Sequence, residues 1–399
     1  MSFPQVQESQ LHFPLEFIAD ILYNRFRYFV DYFDKGDLIM RFVKTNEIKI
    51  GHRIAKPIYN NDGVLLYGRG TTVNDTVMNH INSLDAYGFY VLDAAEPLPH
   101  MTDDELEFER FQTVSCHTLQ CELTNIVNGD DSQNLKNLAD TIVNLYGNLT
   151  SKITFIQSIR GPKDNVYKHC LNVAMLCAMI SNKLGIDKKE QNYLVQSAFY
   201  HDIGKLIAPQ DIINKPDKLT PEELSVIRDS ELKGFELIRN NYKLSSGIKR
   251  YISQLRIELM NKIPGCVKQQ QNLLLGTKII QTADMYDLLT AMRVYKEPTS
   301  EFAAVTFLLD KYDQFEEKIV NALIDSINIL PPGCCVELTN GEKGLVLSES
   351  PYYPLRPTIL GFKTNTVYDL SHRKTYETVK IKNIMKTMDN RFEMSRPEN

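Results

Sequence analysis

FYHDIGKLIAPQDIINKPDKLTPEE, residues 199–223, sets a histidine beside an aspartate and follows them with a Gly-Lys pair and a proline-marked loop. Adjacent His201 and Asp202 at the end of a helical pattern can reach one ion if the chain turns sharply, and Gly204 permits such a turn. A divalent cation needs further oxygen and nitrogen donors from other rigid elements. Two candidates sit in apolar helical text: His169 in VYKHCLNVAMLC (166–177) and Asp284 in IIQTADMYDLL (279–289). An inward carboxylate without a partner is costly, so a cation, or a histidine beside one, explains Asp284. Either residue alone is more often an ordinary core polar group. The signal is the ordered set of His, His-Asp and Asp on three helical segments, with Lys205 alongside.

The chain has 399 residues, enough for two or three domains. Its net charge of −5 gives no global basic field to gather a nucleic acid polymer or anionic lipid. No stretch reaches the length of apolar residues that a membrane span requires, and the first residues lack the basic start and apolar run of a secretory signal. Seven cysteines with no CxxC spacing point to a cytoplasmic protein with reduced thiols. Cys170 and Cys177, seven apart in an apolar helical pattern, read as small buried side chains.

The fold class expected is mainly α: an all-helical domain with a small α+β N-terminal module and a short β-rich C-terminal tail. Residues 1–35 contain LEFIADILYNRFRYFVDYF, an aromatic-rich helical segment suited to docking on the body or on a second copy, so a homodimer is expected. Residues 36–97 read as the α+β module, with a hairpin at NNDG (60–63), and nothing there has catalytic spacing. Regulation or a protein partner is its expected role. Residues 98–112 suit a linker leading into a helix, 113–330 the helical domain, 331–386 the β-rich extension, and 387–399 a frayed tail. RGPKD (160–164) reads either as a pocket lip or as a turn with Asp164 as N-cap.

The order His169, His201-Asp202, Asp284 resembles the HD superfamily of metal-dependent phosphohydrolases. The fuller text, including LKGFELI (232–238) and TADMYDLLTAMRVYK (282–296), is similar to the HD-GYP family of cyclic di-GMP phosphodiesterases. The resemblance spans residues 166–296. It implies that His169, His201, Asp202 and Asp284 bind a divalent metal, that Lys205 meets a phosphate of the ligand, and that Asp287, Arg293 and Lys296 line the dinucleotide pocket. Asp202 and Lys205 would be the catalytic pair. Histidine and carboxylate donors suit iron, manganese, zinc or cobalt without choosing among them.

The chain also departs from the pattern. Positions where the family carries further metal-binding histidines fall on Ser230 in DSELKG (229–234) and on Ser253 and Gln254 in YISQLRIELMNKIPGC (251–266), and no histidine occurs between 203 and 371. Hydroxyl and amide groups are poor substitutes for imidazole at a transition metal, so one ion per chain is expected. Two readings stay open. One is a degenerate member that binds cyclic di-GMP or a related nucleotide for signalling, with weak or no turnover. The other is an active single-metal phosphodiesterase.

Overall fold

The structure, a computed structural model, describes residues 41–84, 86, 88–92, 101–132, 134–158, 160–215, 219–261, 272–291 and 298–385. The expected N-terminal helical segment 1–35 and the tail 387–399 lie outside the described residues.

The first part builds β1 (Arg41–Lys44), β2 (Arg53–Ile54), β3 (Ile58–Tyr59), β4 (Leu65–Tyr67), α1 (Asp75–Ser83) and β5 (Gly88–Leu92). β5 lies between β1 and β2, antiparallel to both, and β3 pairs with β4 across the NNDG turn. Gly63 closes that turn with φ +76°, a left-handed value that favours glycine. Ile48, Ile54, Ile58, Val73, Val77 and Ile81 form a core of their own. The module is tied to the helix that follows: Lys56 pairs with Glu109 at 2.5 Å, and Arg110 Nε donates to the Gly63 carbonyl at 2.9 Å.

The helices are α2 (Asp103–Asn128), α3 (Leu135–Tyr146), α4 (Asn165–Lys183), α5 (Lys188–Tyr200), α6 (Gly204–Ile207), α7 (Gln210–Ile213), α8 (Pro221–Asn240), α9 (Ser246–Asn261), α10 (Leu275–Thr290), α11 (Glu301–Asp310) and α12 (Glu317–Ile324). α2 begins inside the segment expected to be a linker. The reason is local: Thr102 accepts from the Glu105 N–H while the Glu105 carboxylate takes the Thr102 N–H, a capping box that starts a helix with Asp103 and Asp104 also favouring its positive end. The same device, with Pro221 in the first turn, starts α8 at Thr220 and Glu223. α4 is buried on nearly every side, from Val166 to Ser181, and packs on α5 and α10. His169 and Asn172 are therefore polar groups in the middle of a core helix.

The last part folds as β6 (Cys335–Leu338), β7 (Lys343–Ser348), β8 (Thr358–Gly361), β9 (Val367–Asp369), α13 (Arg373–Thr378) and β10 (Ile381–Met385). The strands form one antiparallel sheet in the order β10-β6-β7-β8-β9. Its inward residues Val336, Leu338, Val346 and Ile359 belong to the same core as α4 and α10, so this sheet is packed on the helical body.

Candidate metal centre

Three helices deliver the site. α4 carries His169 among buried apolar neighbours, α5 ends at His201, and α10 carries Asp284. The Nε2 atoms of His169 and His201 lie 3.2 Å apart. Asp284 Oδ1 stands 3.0 Å from His169 Nε2 and 3.9 Å from His201 Nε2. One ligand atom from each of these residues falls within 4.8 Å of the others. Asp202 Oδ2 lies 3.3 Å and 3.8 Å from the same two nitrogens and is ion-paired with Lys205.

The outer contacts fix which atoms face inward. His201 Nδ1 sits 2.7 Å from the Ala198 carbonyl, which can only accept, so Nδ1 carries the hydrogen and Nε2 the lone pair. His169 Nδ1 sits 2.6 Å from Asp287 Oδ2. Burial would push the Asp287 carboxyl up, but the Arg160 guanidinium and His169 hold it below the usual carboxylate range, so it accepts from the imidazole. Both histidines thus turn Nε2 lone pairs toward each other and toward Asp284 Oδ1, a buried oxygen with no hydrogen-bond partner among the described residues.

Facing lone pairs at these distances repel unless a proton or a cation lies between them. In the metal-free protein, burial disfavours the His169 imidazolium, yet Asp202, Asp284 and Asp287 outweigh it and raise its pKa above the ordinary value. Burial likewise opposes charge on His201, and Asp202 reverses it, raising that pKa well above the usual range. A divalent cation satisfies the same atoms, and two imidazoles with carboxylates are a familiar donor set for one. Each ring also has the outer acceptor typical of metal-ligating histidine: a carboxylate for His169, a backbone carbonyl for His201.

Other expectations are placed differently. Asp287 does not line an open pocket: its side chain is 0 % exposed, and it stands behind His169. Its Oδ1 accepts from Arg160, Gln157 and Asn172 at 2.5, 3.1 and 3.0 Å. Lys205 is buried on α6 against Asp202. Ser230 donates to the Val226 carbonyl of its own helix at 2.9 Å. Ser253 is exposed, and Gln254 Oε1 accepts from the Leu274 N–H and the Thr277 hydroxyl at the start of α10. Arg293 and Lys296 lie outside the described residues.

Gly204 serves close packing rather than a left-handed turn. It opens α6 directly after His201 and Asp202, and a Cβ there would meet the Ser230 carbonyl of α8 at 2.7 Å. A Cβ on Gly234 would meet Gly204 N at 2.6 Å. The two glycines let α6 and α8 touch backbone to backbone beside the site. RGPKD forms a turn in which Asp164 accepts from the Gly161 N–H at 2.7 Å, but its arginine points into the core. Arg160, Gln157 and Asn172 are the residues that sequence reasoning missed. Asn172, three positions after His169 in otherwise apolar text, was the available sign.

Comparisons with known proteins agree with this geometry. A family model described as HD domain matches residues 136–317. A cyclic di-GMP phosphodiesterase of Pseudomonas aeruginosa is 25 % identical over 198 residues, covering 49 % of this chain and 47 % of that protein. The cyclic di-GMP phosphodiesterase PdeB of Borreliella burgdorferi is 24 % identical over 234 residues, covering 56 % and 60 % respectively. A 3'3'-cGAMP-specific phosphodiesterase of Vibrio cholerae is 25 % identical over 164 residues, covering 39 % and 30 %. The chain therefore spans less than two thirds of the length of these curated relatives. Among the described residues no helix is long and apolar enough to cross a membrane. The paired histidines and aspartates therefore lie at the centre of a segment similar to the HD domain, a metal-dependent family.

Proposed function

We propose that this chain holds one divalent cation and binds cyclic di-GMP or a related nucleotide beside it, acting mainly in signalling with weak or no phosphodiester hydrolysis. The observation that carries the reading is the convergence of two imidazole lone pairs on the donor-free Asp284 Oδ1. His169, His201 and Asp284 would hold the ion, with Asp202 beside them. Bound there, such a cation supplies Lewis acidity to a phosphoryl oxygen.

The chain's own residues support slow chemistry. Lys205 offers a point charge for a phosphate of the ligand. Burial would raise the Asp202 carboxyl, but Lys205 and His201 hold it well below the usual range. A carboxylate so acidic is a weak general base. Ser230 and Gln254 spend their polar atoms on neighbouring backbone and helix-start groups, which supports one ion rather than a cluster. Arg293 and Lys296 remain proposed contacts for the dinucleotide. The module over 36–97 is the proposed partner-binding element, and a homodimer the proposed assembly.

The deciding experiment uses the full chain purified without oxygen: metal content, a cyclic di-GMP binding isotherm, and assay for linear product with added iron or manganese. The expected result is close to one metal per chain and saturable binding with little product. Rapid turnover abolished by Asp202→Ala would establish an active single-metal phosphodiesterase instead. Absence of both metal and nucleotide binding would leave a helical scaffold.

A further inference from the structure

The network behind His169 holds more charge than stability asks for. Arg160 and Asp287 form an ion pair with 0 % of either side chain exposed. Burying such a pair costs desolvation that the attraction rarely exceeds, and apolar residues of similar volume often stabilise as well. Arg160 is also incompletely satisfied. Its Nη2 donates to Asp287 Oδ1 at 2.5 Å and to Gln157 Oε1 at 3.1 Å, while Nε and Nη1 find no acceptor among the described residues. The guanidinium therefore does not use the two-pronged contact that makes arginine–carboxylate pairs strong.

What the pair does achieve is orientation. Asp287 Oδ1 is fixed by donors from Arg160, from Gln157 Nε2 and from Asn172 Nδ2. Oδ2 makes its described hydrogen bond to His169 Nδ1. Asn172 is held in turn by Gln112 of α2, whose Nε2 donates to Asn172 Oδ1 at 3.0 Å. The carboxylate plane is set from one side so that its other oxygen meets the imidazole.

We infer that Arg160 is a positioning residue for the metal centre: by clamping Asp287 Oδ1 it holds His169 in the tautomer with hydrogen on Nδ1 and the lone pair of Nε2 aimed at His201 and Asp284. The cation in this inference rests on the proposed function, whereas the tautomer does not. Without the guanidinium, the carboxylate keeps only neutral amide donors on Oδ1, and the ring loses a fixed partner. Loss of such an outer contact typically weakens metal binding about 10–100-fold.

The test compares wild type, Arg160→Gln and Arg160→Lys as full chains. Manganese affinity is read by titration. The His169 tautomer is read by nitrogen NMR on metal-free, histidine-labelled protein at a pH where the ring is neutral. Wild type should show hydrogen on Nδ1. Arg160→Gln should lose that single tautomer and bind manganese about tenfold more weakly, and Arg160→Lys should recover part of both. A folded Arg160→Gln chain with wild-type tautomer and affinity overturns the inference. If the glutamine variant does not fold, Gln157→Leu removes both a donor to Asp287 and the seat of Arg160 Nη2. Unchanged tautomer and affinity there overturn the inference equally. Should wild type bind no manganese, the cation reading falls, while the tautomer comparison still decides the role of Arg160.

Discussion

The candidate metal centre and the positions where a second ion would be expected treat their polar groups in opposite ways. At the centre, His169 and His201 each spend Nδ1 on an acceptor and turn Nε2 toward Asp284 Oδ1, which has no hydrogen-bond partner among the described residues. At Ser230 and Gln254 the polar atoms go to a helix carbonyl and to the start of α10, and Ser253 faces solvent. Groups left unpaired and converging mark a place for a ligand. Groups satisfied by their own neighbourhood mark structure. Residue type alone does not separate the two, because an aspartate stands on each side of the line: Asp284 converges on the centre, and Asp287, one turn on, is satisfied behind it.

The largest expected effect is at the centre. Asp284→Ala should reduce bound metal from close to one per chain to a trace, measured by elemental analysis, with helical content retained. Metal retained by that variant would break the contrast, because the donor-free oxygen would then be irrelevant.

Asp287→Asn should come next. The amide can present N–H to His169 Nδ1 and force the hydrogen onto Nε2, so metal affinity should fall about 10–100-fold while the fold survives. Titration with manganese reads it.

Gly234→Ala tests the glycine contact that seats His201 and Asp202. The added methyl meets α6 backbone at 2.6 and 2.7 Å, and overpacking of this kind costs about 1–3 kcal/mol. A lowered denaturant midpoint with weaker metal binding is expected. An unchanged midpoint would mean that α6 and α8 separate freely.

Gln254→Ala sharpens the comparison from the other side. It should cost about 1 kcal/mol by freeing the Leu274 N–H and Thr277 hydroxyl, and leave metal stoichiometry unchanged.

The smallest effect is in pH. In the metal-free chain the raised pKa values of His169 and His201 give a stabilisation fully present below about pH 6.5 and lost as pH rises through the folded-state values. Asp202 and Asp284 act oppositely: burial opposes their charge, Lys205 and the histidines lower their pKa values, and their contribution is lost only in strong acid. Thermal melts should therefore fall from mildly acid toward alkaline pH without metal. Added manganese should reverse that slope, since protons compete for the same nitrogens.

Much of the fold was legible because its signals are local. The hairpin at NNDG and the apolar period of α4 each act within a few residues. The stretch read as a linker leading into a helix does lead into one, which starts at Asp103. The set His169, His201, Asp202 and Asp284 was legible because its members are too polar for the apolar text around them.

The amino-acid sequence by itself determined that three helical segments would carry those four donors, and that no histidine stands at Ser230, Ser253 or Gln254. Only the tertiary structure decided which way each side chain faces. Three residues along a helix turn a side chain by about 60° from its predecessor's direction, enough to send Asp284 to the centre and Asp287 behind His169. Arg160, 127 positions from Asp287 in the chain, finds its partner only when α10 packs on α4. The close crossing of Gly204 and Gly234 exists only once α6 and α8 meet. Local order follows from neighbours in the chain, whereas direction and partnership follow from packing between elements.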